Sequence, residues 1–485
     1  MMACRKLELP SLWLQRKHNN QFEVCRFMVK FCRAVFFSSL LLIGNMSAAT
    51  ERSSFVLASQ FFLNHLGYDA GPNDGIRGNK TNAALDQFFS SMSVDSSVEI
   101  DDRLIAILID ASRENANTSN YMETFNAQSL RRRQTDLNIR QYCGVGIWSQ
   151  WFPPESSELY HEELFGEGDD LAAARYSGWP FQQLLYRNVI RDIDSNDLNL
   201  SSVSNLLLEA AKANAFTRIS GHRYRYWNGR SLPWVHSYNE YNETEVQTHL
   251  VLHTVATVFH LVRPNMSSEE QDKIINWGNR VFENILQTPD DLDRWEQGRN
   301  RAHDRSAWKS MSLIAWGIEA ENYLALSEGL GHFITNIDSI NQMGRQNFWW
   351  KGGAKSEAQR IFYLHSTYGA LTSAAFHLSA LGVDGFHLRG AQGGSLFDGL
   401  TFLMPHLEIY GGYKRVTEVT RSNLQRLAYL ELLSVTPYFD EIPRIKDILA
   451  QMRRIDRVPQ STSRYGLLSL DAPGYTTCWF GRLPL

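Results

Sequence analysis

The sequence predicts a mainly α protein in which a small three-helix unit precedes a large helical domain. Apolar residues recur at helical spacing through most of the chain after residue 145. Helix start and stop signals bound these stretches: the tetrapeptide SSEE at 267–270 opens one, while Pro264 and Gly382 close others. The alternation that is typical of strands is nearly absent before Ser463.

The large domain consists of a series of amphipathic segments. These are Ser202–Arg218, Glu245–Val262, Ser267–Leu286, Ala307–Leu326, Glu357–Leu381, Leu396–Leu407, Thr420–Leu433 and Ile442–Met452. Long helices joined by long, aromatic-rich loops predict helical hairpins arranged as an (α/α) toroid, which is an incomplete α/α barrel. Periodicity alone also permits an irregular bundle.

Residues 1–49 have the features of a secretory signal peptide. Arg26, Lys30 and Arg33 precede an apolar stretch at 34–44, and the small residues 47–49 provide a cleavage site. We therefore expect a periplasmic or secreted protein with no membrane attachment after cleavage. A membrane anchor is the alternative, although the apolar stretch is short for a membrane span.

The formal charge of the whole chain is −4. Residues 1–49 contain seven of the 48 basic and two of the 52 acidic residues, so the remainder carries −9. This balance gives no reason to expect a nucleic-acid partner. A protein this acidic can hold a polyanion only through a local basic cleft.

Two cysteines lie beyond the signal peptide, Cys143 and Cys478. In an exported protein such a pair can form a disulfide, which here would tie the start of the large domain to its end. Two buried free thiols are the alternative, because a sequence does not give the distance between two cysteines.

Residues 50–112 predict the small unit. A helix over Phe55–Leu66 is ended by Gly67, dense turn residues follow at 71–75, Thr81 opens a second helix, and residues 101–111 form a third. A polar connector over 113–142, with one helical stretch and an arginine run at 131–133, leads to the large domain at 143–485.

The small unit resembles the peptidoglycan-binding domain of bacterial wall hydrolases. The resemblance rests on the sequence LGYDAGPNDGIRGNKTNAAL and on the spacing of Tyr68, Asp74, Gly75, Gly78 and Thr81. It implies that these residues serve binding to cell-wall peptidoglycan. The sequence departs from the family at residues 88–89, where two phenylalanines stand, and a retained fold without binding is the alternative.

Three stretches of the large domain combine histidine, arginine and aromatic residues. They lie at 221–239, at 299–308, and at 349–351 together with 360–368. Guanidinium and ammonium groups pair with the carboxylates of a sugar-acid polymer. Aromatic rings offer flat apolar faces to pyranose rings. The three stretches together indicate a binding site for an acidic polysaccharide.

The third stretch resembles the catalytic helix of alginate lyases of the (α/α) toroid fold. Arg360, His365 and Tyr368 match the family's arginine, histidine and second tyrosine with one inserted residue, and the segments 382–384 and 394–396 match the two segments that come after this helix in the family. A looser likeness covers Asn300, His303 and Trp308, although the spacing differs from the family's, and Arg305 competes with His303 if the tryptophan sets the register.

The resemblance implies β-elimination without a metal or cofactor. Asn300, His303 and Arg360 would neutralise the C6 carboxylate of a uronate, and Tyr368 would protonate the departing O4 and serve as base, with His303 as the alternative base. We expect the catalytic helix to begin near Leu364, with Arg360 in a loop. The expected substrate contacts are Arg305, His365, Tyr363, Trp308, Trp349, Trp350, Lys351, His222 and Tyr238.

Other interpretations of the large domain stay open at this point. Glu245, His249 and His253 follow one another at helical spacing that could hold zinc. A glycoside hydrolase would need two carboxyl groups, for which Asp291, Asp293, Glu296 and Asp304 are candidates. A non-catalytic glycan-binding wall protein is the third. The expected partners are an acidic polysaccharide and peptidoglycan, and the expected state is a monomer.

Overall fold

A computed structural model gives the fold, and it describes ten segments of the chain. These are residues 53–92, 99–116, 119–136, 178–217, 226–227, 230–231, 238–287, 304–346, 357–410 and 429–456. The predicted signal peptide, the two cysteines and the acidic candidates Asp291, Asp293 and Glu296 lie outside them. Within the described segments, no helix is long and apolar enough to cross a membrane.

The N-terminal unit contains the three predicted helices. They are α1 (Ser54–His65), α2 (Asn79–Met92) and α3 (Asp102–Glu114). Ser53 caps α1 and Asp101 caps α3 through side-chain oxygens that accept backbone N–H groups. A 3₁₀ turn at Tyr121–Thr124 and helix α4 (Ala127–Asp136) follow.

The remaining helices form hairpins. They are α5 (Gly178–Asp194), α6 (Ser201–Lys212), α7 (Tyr238–Val262), α8 (Ser268–Gln287), α9 (Asp304–Glu319), α10 (Tyr323–Asp338), α11 (Glu357–Leu378), α12 (Leu396–Tyr410), α13 (Tyr429–Leu433) and α14 (Ile445–Asp456). Two short strands, β1 (Tyr226–Trp227) and β2 (Arg230–Ser231), pair antiparallel before α7. The mainly α prediction is confirmed.

The hairpins form two layers. Each odd-numbered helix from α5 to α11 contacts the next odd-numbered helix, so that α9 contacts both α7 and α11. The even-numbered helices lie outside them, and α9 and α10 approach closely because each contributes a glycine: a Cβ on Gly317 would meet the backbone of Leu326, and one on Gly329 the backbone of Ile314. This alternation of inner and outer helices is the (α/α) toroid that the sequence predicts.

The predicted helix signals hold where the structure describes them. Ser267 and Glu270 form the predicted capping box at the start of α8, with the Ser267 N–H donating to Glu270 Oε2 at 2.8 Å. Gly382 ends the α11 region with φ +77°. The predicted segment Ala307–Leu326 is two helices, because the chain reverses between α9 and α10 at residues 320–322.

The connector after α3 differs from the solvated segment that the sequence predicts. Tyr121, Met122, Phe125 and Leu130 are buried. The rings of Tyr121 and Phe376 stack with their centroids 6.2 Å apart. The stretch is polar on average, and its composition therefore did not indicate that these four residues are buried.

The N-terminal unit packs directly on the large domain. Helix α1 contacts α10, and α3 contacts the turn that follows α11. The Ser112 hydroxyl donates to the Leu381 carbonyl at 2.6 Å, and Arg113 Nε donates to the Ala380 carbonyl at 3.2 Å. These bonds satisfy carbonyls at a helix end, which would otherwise lack partners.

Candidate functional site

The inner helices α7, α9 and α11 run in the same direction. Near the middle of α7, His249 Nδ1 lies 2.6 Å from Ser312 Oγ of α9. Near the carboxyl end of α7, His260 Nδ1 lies 2.9 Å from Glu319 Oε1 at the end of α9. The order of these pairs is the same along both helices, so α7 and α9 are parallel.

Helix α11 has the same direction as α7. Ser373 Oγ lies 3.1 Å from His253 Nε2, while the Phe125 ring contacts both His260 and Phe376 with centroid distances of 6.0 and 6.5 Å. The carboxyl ends of the three helices therefore meet around Phe125. Their amino ends, which begin at Tyr238, Asp304 and Glu357, lie at the opposite end of the toroid.

A buried polar network fixes the amino end of α9. Ser306 Oγ lies 3.1 Å from His332 Nδ1 and accepts a hydrogen bond of 3.1 Å from Asn336 Nδ2. Gln346 Nε2 donates to Asn336 Oδ1 at 3.2 Å. Because Ser306 is in the first turn of α9, this network positions the helix start that directly follows His303 in the chain.

Buried histidines line the interior between the inner helices. Burial lowers the pKa of His253 to about 3, and burial together with the charges of Lys309 and His332 lowers the pKa of His249 well below its usual range. Burial opposes charge on His260 too, but the hydrogen bond and charge of Glu319 outweigh it and raise the pKa of His260. The zinc interpretation is not supported, since His249 and His253 bond different serines and no three ligating side chains converge within the described residues.

Tyr368 lies in the core and not in a cleft. Its side chain is 0% exposed, and its hydroxyl donates to the Gly344 carbonyl at 2.7 Å. Burial raises the pKa of Tyr368 well above its usual range. This burial does not favour the predicted role of Tyr368 as the catalytic acid, a role that stays a prediction.

The start of α11 also differs from the prediction. The helix begins at Glu357 and continues without interruption to Leu378, so Arg360 lies in its first turn and not in a loop. His365 is 5% exposed, and its Nδ1 lies 3.3 Å from the Tyr429 hydroxyl of α13. Trp308 is partly buried against the core.

The other predicted site residues are described in part or not at all. The backbone alone is described for Tyr238, Arg305, Arg360 and Tyr363, and for Asp304 and Glu245 of the alternative interpretations. His222, Asn300, His303, Trp349, Trp350, Lys351, Cys143 and Cys478 lie outside the described residues.

The motif residues of the N-terminal unit fix the conformation of the loop between α1 and α2. Gln60 Nε2 donates to Asp74 Oδ1 at 3.1 Å and to Thr81 Oγ1 at 3.1 Å, while Gln60 Oε1 accepts from the Gly75 N–H at 2.9 Å. Thr81 and Gly75 are buried, and Gly75 has φ +74°, where a Cβ would lie 3.0 Å from the Ser53 carbonyl oxygen. Their roles in this structure are therefore to shape the loop.

Two residues of this loop network were missed from the sequence. Gln60 is 1% exposed within a largely apolar helix, and Asn64 Nδ2 donates to the Gly71 carbonyl at 2.8 Å. A glutamine on a largely apolar helix was the available signal, since a buried polar side chain needs buried partners. Tyr68 and Gly78 keep surface exposure, and the Tyr68 hydroxyl lies 2.6 Å from Ser91 Oγ.

Comparisons with known proteins agree with the toroid. An alginate lyase A1-III variant complexed with tetrasaccharide is 13% identical, with a TM-score of 0.51, over 77% of this chain and 99% of that one. A second such complex gives 13% identity, 77% and 98% coverage and a TM-score of 0.49. Alginate lyase A1-III from Sphingomonas species A1 is 12% identical, with a TM-score of 0.46, over 76% of this chain and 98% of that one. No protein-family profile and no curated protein sequence matches the chain.

Proposed function

We propose that this chain is an exported polysaccharide lyase that cleaves a uronate-containing polymer by β-elimination and is held at the cell wall by its N-terminal unit. The observation that carries the proposal is the parallel arrangement of α7, α9 and α11. Each of these helices begins within one of the three stretches rich in histidine, arginine and aromatic residues, or between the two parts of the third stretch. We infer from the helix starts that all three stretches lie at the same end of the toroid.

Electrostatics favour a polyanion at this end. The amino end of a helix carries a partial positive charge, and three such ends are gathered here. The adjoining stretches add Arg223, Arg225, Arg299, Arg301 and Lys351 in a chain whose overall charge is −4. A local positive potential in an acidic protein is the arrangement that draws an acidic polysaccharide to one place.

The proposed reaction begins with a uronate bound in the positive potential at the amino ends of the inner helices. Asn300, His303 and Arg360 would neutralise the C6 carboxylate, which makes the C5 proton more acidic. With His303 in its alternative role as the base that removes this proton, Asn300 and Arg360 would neutralise the carboxylate without it. Since its burial does not favour Tyr368 as the acid that protonates O4, another group near the amino ends of the inner helices is the alternative. The likeness in fold to a lyase that binds a tetrasaccharide supports this class of substrate.

The N-terminal unit supports the wall-binding part of the proposal. Its loop is fixed by Gln60, Asp74 and Thr81, and the exposed residues Arg77 and Lys80 project from the same loop region. Its α1 and α3 faces are covered by the large domain. We propose that the loop side of the unit, from Tyr68 to Lys80, binds peptidoglycan.

The test is an ultraviolet absorbance assay with purified protein and a panel of polyuronates. Elimination creates a conjugated C4=C5 double bond, which absorbs, whereas hydrolysis creates none. We expect absorbance to rise with at least one polymer, and Arg360→Met to lower the rate by about 10²-fold or more. Arg132→Met is the matched control, because Arg132 is exposed on α4. New reducing ends without absorbance would indicate a hydrolase and refute the proposal.

A further inference from the structure

One face of the outer helix α12 carries an aromatic ring between cationic residues. Asp398, Phe402 and His406 follow one another at a spacing of four and share this face, and the Phe402 and His406 rings lie 4.6 Å apart between centroids. The guanidinium of Arg345 lies over the Phe402 ring, 5.4 Å from its centroid, and Arg389 Nη1 lies 3.5 Å from Asp398 Oδ2. Arg345, Arg389, Phe402 and His406 are called the α12 surface below.

The backbone that carries the two arginines is held by hydrogen bonds. Asn341 Oδ1 accepts the Arg345 N–H at 3.1 Å, and the Asn341 N–H donates to the Arg345 carbonyl at 2.9 Å. Asn341 also pairs with Gly393, and the Gly393 carbonyl accepts a bond of 2.6 Å from Arg389 Nη1. Both arginines are therefore positioned beside α12 before any ligand binds.

Arg345 is arranged as an arginine that receives an anion. It is exposed, and within the described part of the chain its guanidinium has no carboxylate partner. A guanidinium group has a planar fork of N–H donors that matches a carboxylate. Because contact with the Phe402 ring already orders the side chain, less conformational freedom is lost when a carboxylate binds.

The neighbouring groups also suit a chain of sugar acids. Among the described side chains that contact the two arginines, Asp398 is the carboxylate, and it already accepts a bond of 2.8 Å from the Ser395 hydroxyl at the start of α12. Met343, in the same turn as Arg345, is 65% exposed. Positive charge beside an exposed apolar side chain fits a polymer that has carboxylates and apolar ring faces.

The α12 surface adjoins the end of the toroid at which the proposed catalytic centre lies. Gln346 follows Arg345 directly in the chain, and its Nε2 donates to Asn336 Oδ1 at 3.2 Å. Asn336 in turn donates to Ser306 Oγ in the first turn of α9. A long polymer bound at the amino ends of the inner helices can therefore continue onto the outer layer.

We propose that the α12 surface is a second binding site for acidic polysaccharide, which holds part of the polymer outside the catalytic centre. The inference rests on the proposed function for the identity of the polymer, but no chemistry takes place at this surface. Arg345 and Arg389 would pair with carboxylates of different sugar units, and Met343 would contact a ring face. The helix rises about 12 Å from residue 398 to residue 406, which is longer than one sugar ring.

The test measures the affinity of fluorescein-labelled long alginate chains for the full chain carrying Arg360→Met, which slows cleavage during the measurement. Adding Arg345→Met and Arg389→Met together should weaken binding by about 10-fold. The loss should shrink as the salt concentration rises, because salt screens exposed charges. Arg345→Lys alone keeps the charge but removes the planar donor group, so it should weaken binding by a smaller factor.

The matched control combines Arg103→Met and Arg132→Met, which remove the same charge from exposed positions of α3 and α4. It should bind as the Arg360→Met protein does. Equal affinity of the two double variants would overturn the inference, and so would a protein that binds no alginate chain at all.

Kinetics separate this inference from the proposed function. With Arg360 present, the α12 double variant should raise KM for long polymer and keep kcat, and turnover of a trisaccharide should stay within a few fold. A fall in kcat on both substrates would overturn a role in binding alone. If the parent forms no unsaturated product but the double variant still loses affinity, the lyase function fails while the second site stands.

Discussion

The hydroxyl of Tyr368 on α11 donates a hydrogen bond of 2.7 Å to the carbonyl oxygen of Gly344, in the turn after α10. Gly344 is buried and has φ +74°, and a Cβ there would meet the backbone of Asp398. The bond therefore joins an inner helix to a tight turn between two outer helices.

Removing this bond should weaken the fold. Tyr368→Phe leaves the buried Gly344 carbonyl without its donor, and we expect the free energy of unfolding to fall by about 1–3 kcal/mol. Urea unfolding measures the change, with Tyr323→Phe as the control because Tyr323 is only partly buried. Equal stability of Tyr368→Phe and the parent would mean that the bond does not hold the turn.

The N-terminal unit and the toroid should unfold together. Ser112→Ala removes the 2.6 Å bond to the Leu381 carbonyl and leaves that carbonyl unsatisfied, so we expect a loss of about 1–3 kcal/mol in a single transition. Ser90→Ala, at an exposed position of α2, is the control. Two separate transitions in the parent, with Ser112→Ala affecting only one, would show that the unit is an independent tether.

Acid should destabilise the protein through its buried histidines. His253 has a pKa of about 3 in the folded protein, below the value of about 6.5 that an unfolded histidine has, and so the unfolded state binds more protons between these values. Stability from this group is complete above the unfolded pKa and falls by up to about 1.4 kcal/mol per pH unit as pH drops below it.

Variants separate the histidines that contribute to this pH dependence. His253→Gln should flatten the dependence in the acid range relative to the parent. His260 acts with the opposite sign. Its raised pKa gives stability that is present below the unfolded pKa and is lost as pH rises through the folded pKa, and Glu319→Gln should remove it. Thermal unfolding at a series of pH values measures both contributions. If the stability of His253→Gln and that of the parent change equally with pH, the contribution of His253 is contradicted.

Wall binding should depend on Gln60, although Gln60 itself is buried. Gln60→Leu removes the bonds that hold Asp74, Gly75 and Thr81, so the loop loses its shape. We expect the full-length parent to sediment with insoluble peptidoglycan and Gln60→Leu to stay largely in the supernatant. If both proteins sediment with peptidoglycan, the binding surface lies elsewhere. If neither sediments, the wall-binding role is refuted.

The proposed bond between Cys143 and Cys478 has a direct chemical test. Closing so long a loop should stabilise the fold by about 2–4 kcal/mol in the chain-entropy picture. Thiol titration of the mature, unfolded and non-reduced protein should then find no free thiol. Two free thiols would exclude the disulfide.

Local patterns predict the helices well, but they do not predict which neighbour each helix face meets. The capping box at Ser267 and the stop at Gly382 depend only on nearby residues, and both are present. The faces of α11 depend on Gly399, Gly344 and His253, which are distant in sequence. The burial of Tyr368 therefore could not be predicted from the residues near it in the sequence.

The N-terminal unit illustrates the same limit. Its motif correctly marked a loop of fixed shape, but the partner that fixes it, Gln60, precedes the motif on another helix. The contact of Ser112 with Leu381 joins residues 269 positions apart, and no pattern near residue 112 indicates it.

Mass spectrometry of the oligosaccharides released from a polyuronate tests the proposed lyase activity most directly. A lyase leaves each new non-reducing end one water lighter than hydrolysis does, because elimination adds no water across the broken bond. We predict that the mature protein releases only these unsaturated ends. Saturated products carrying the added water would contradict a lyase mechanism.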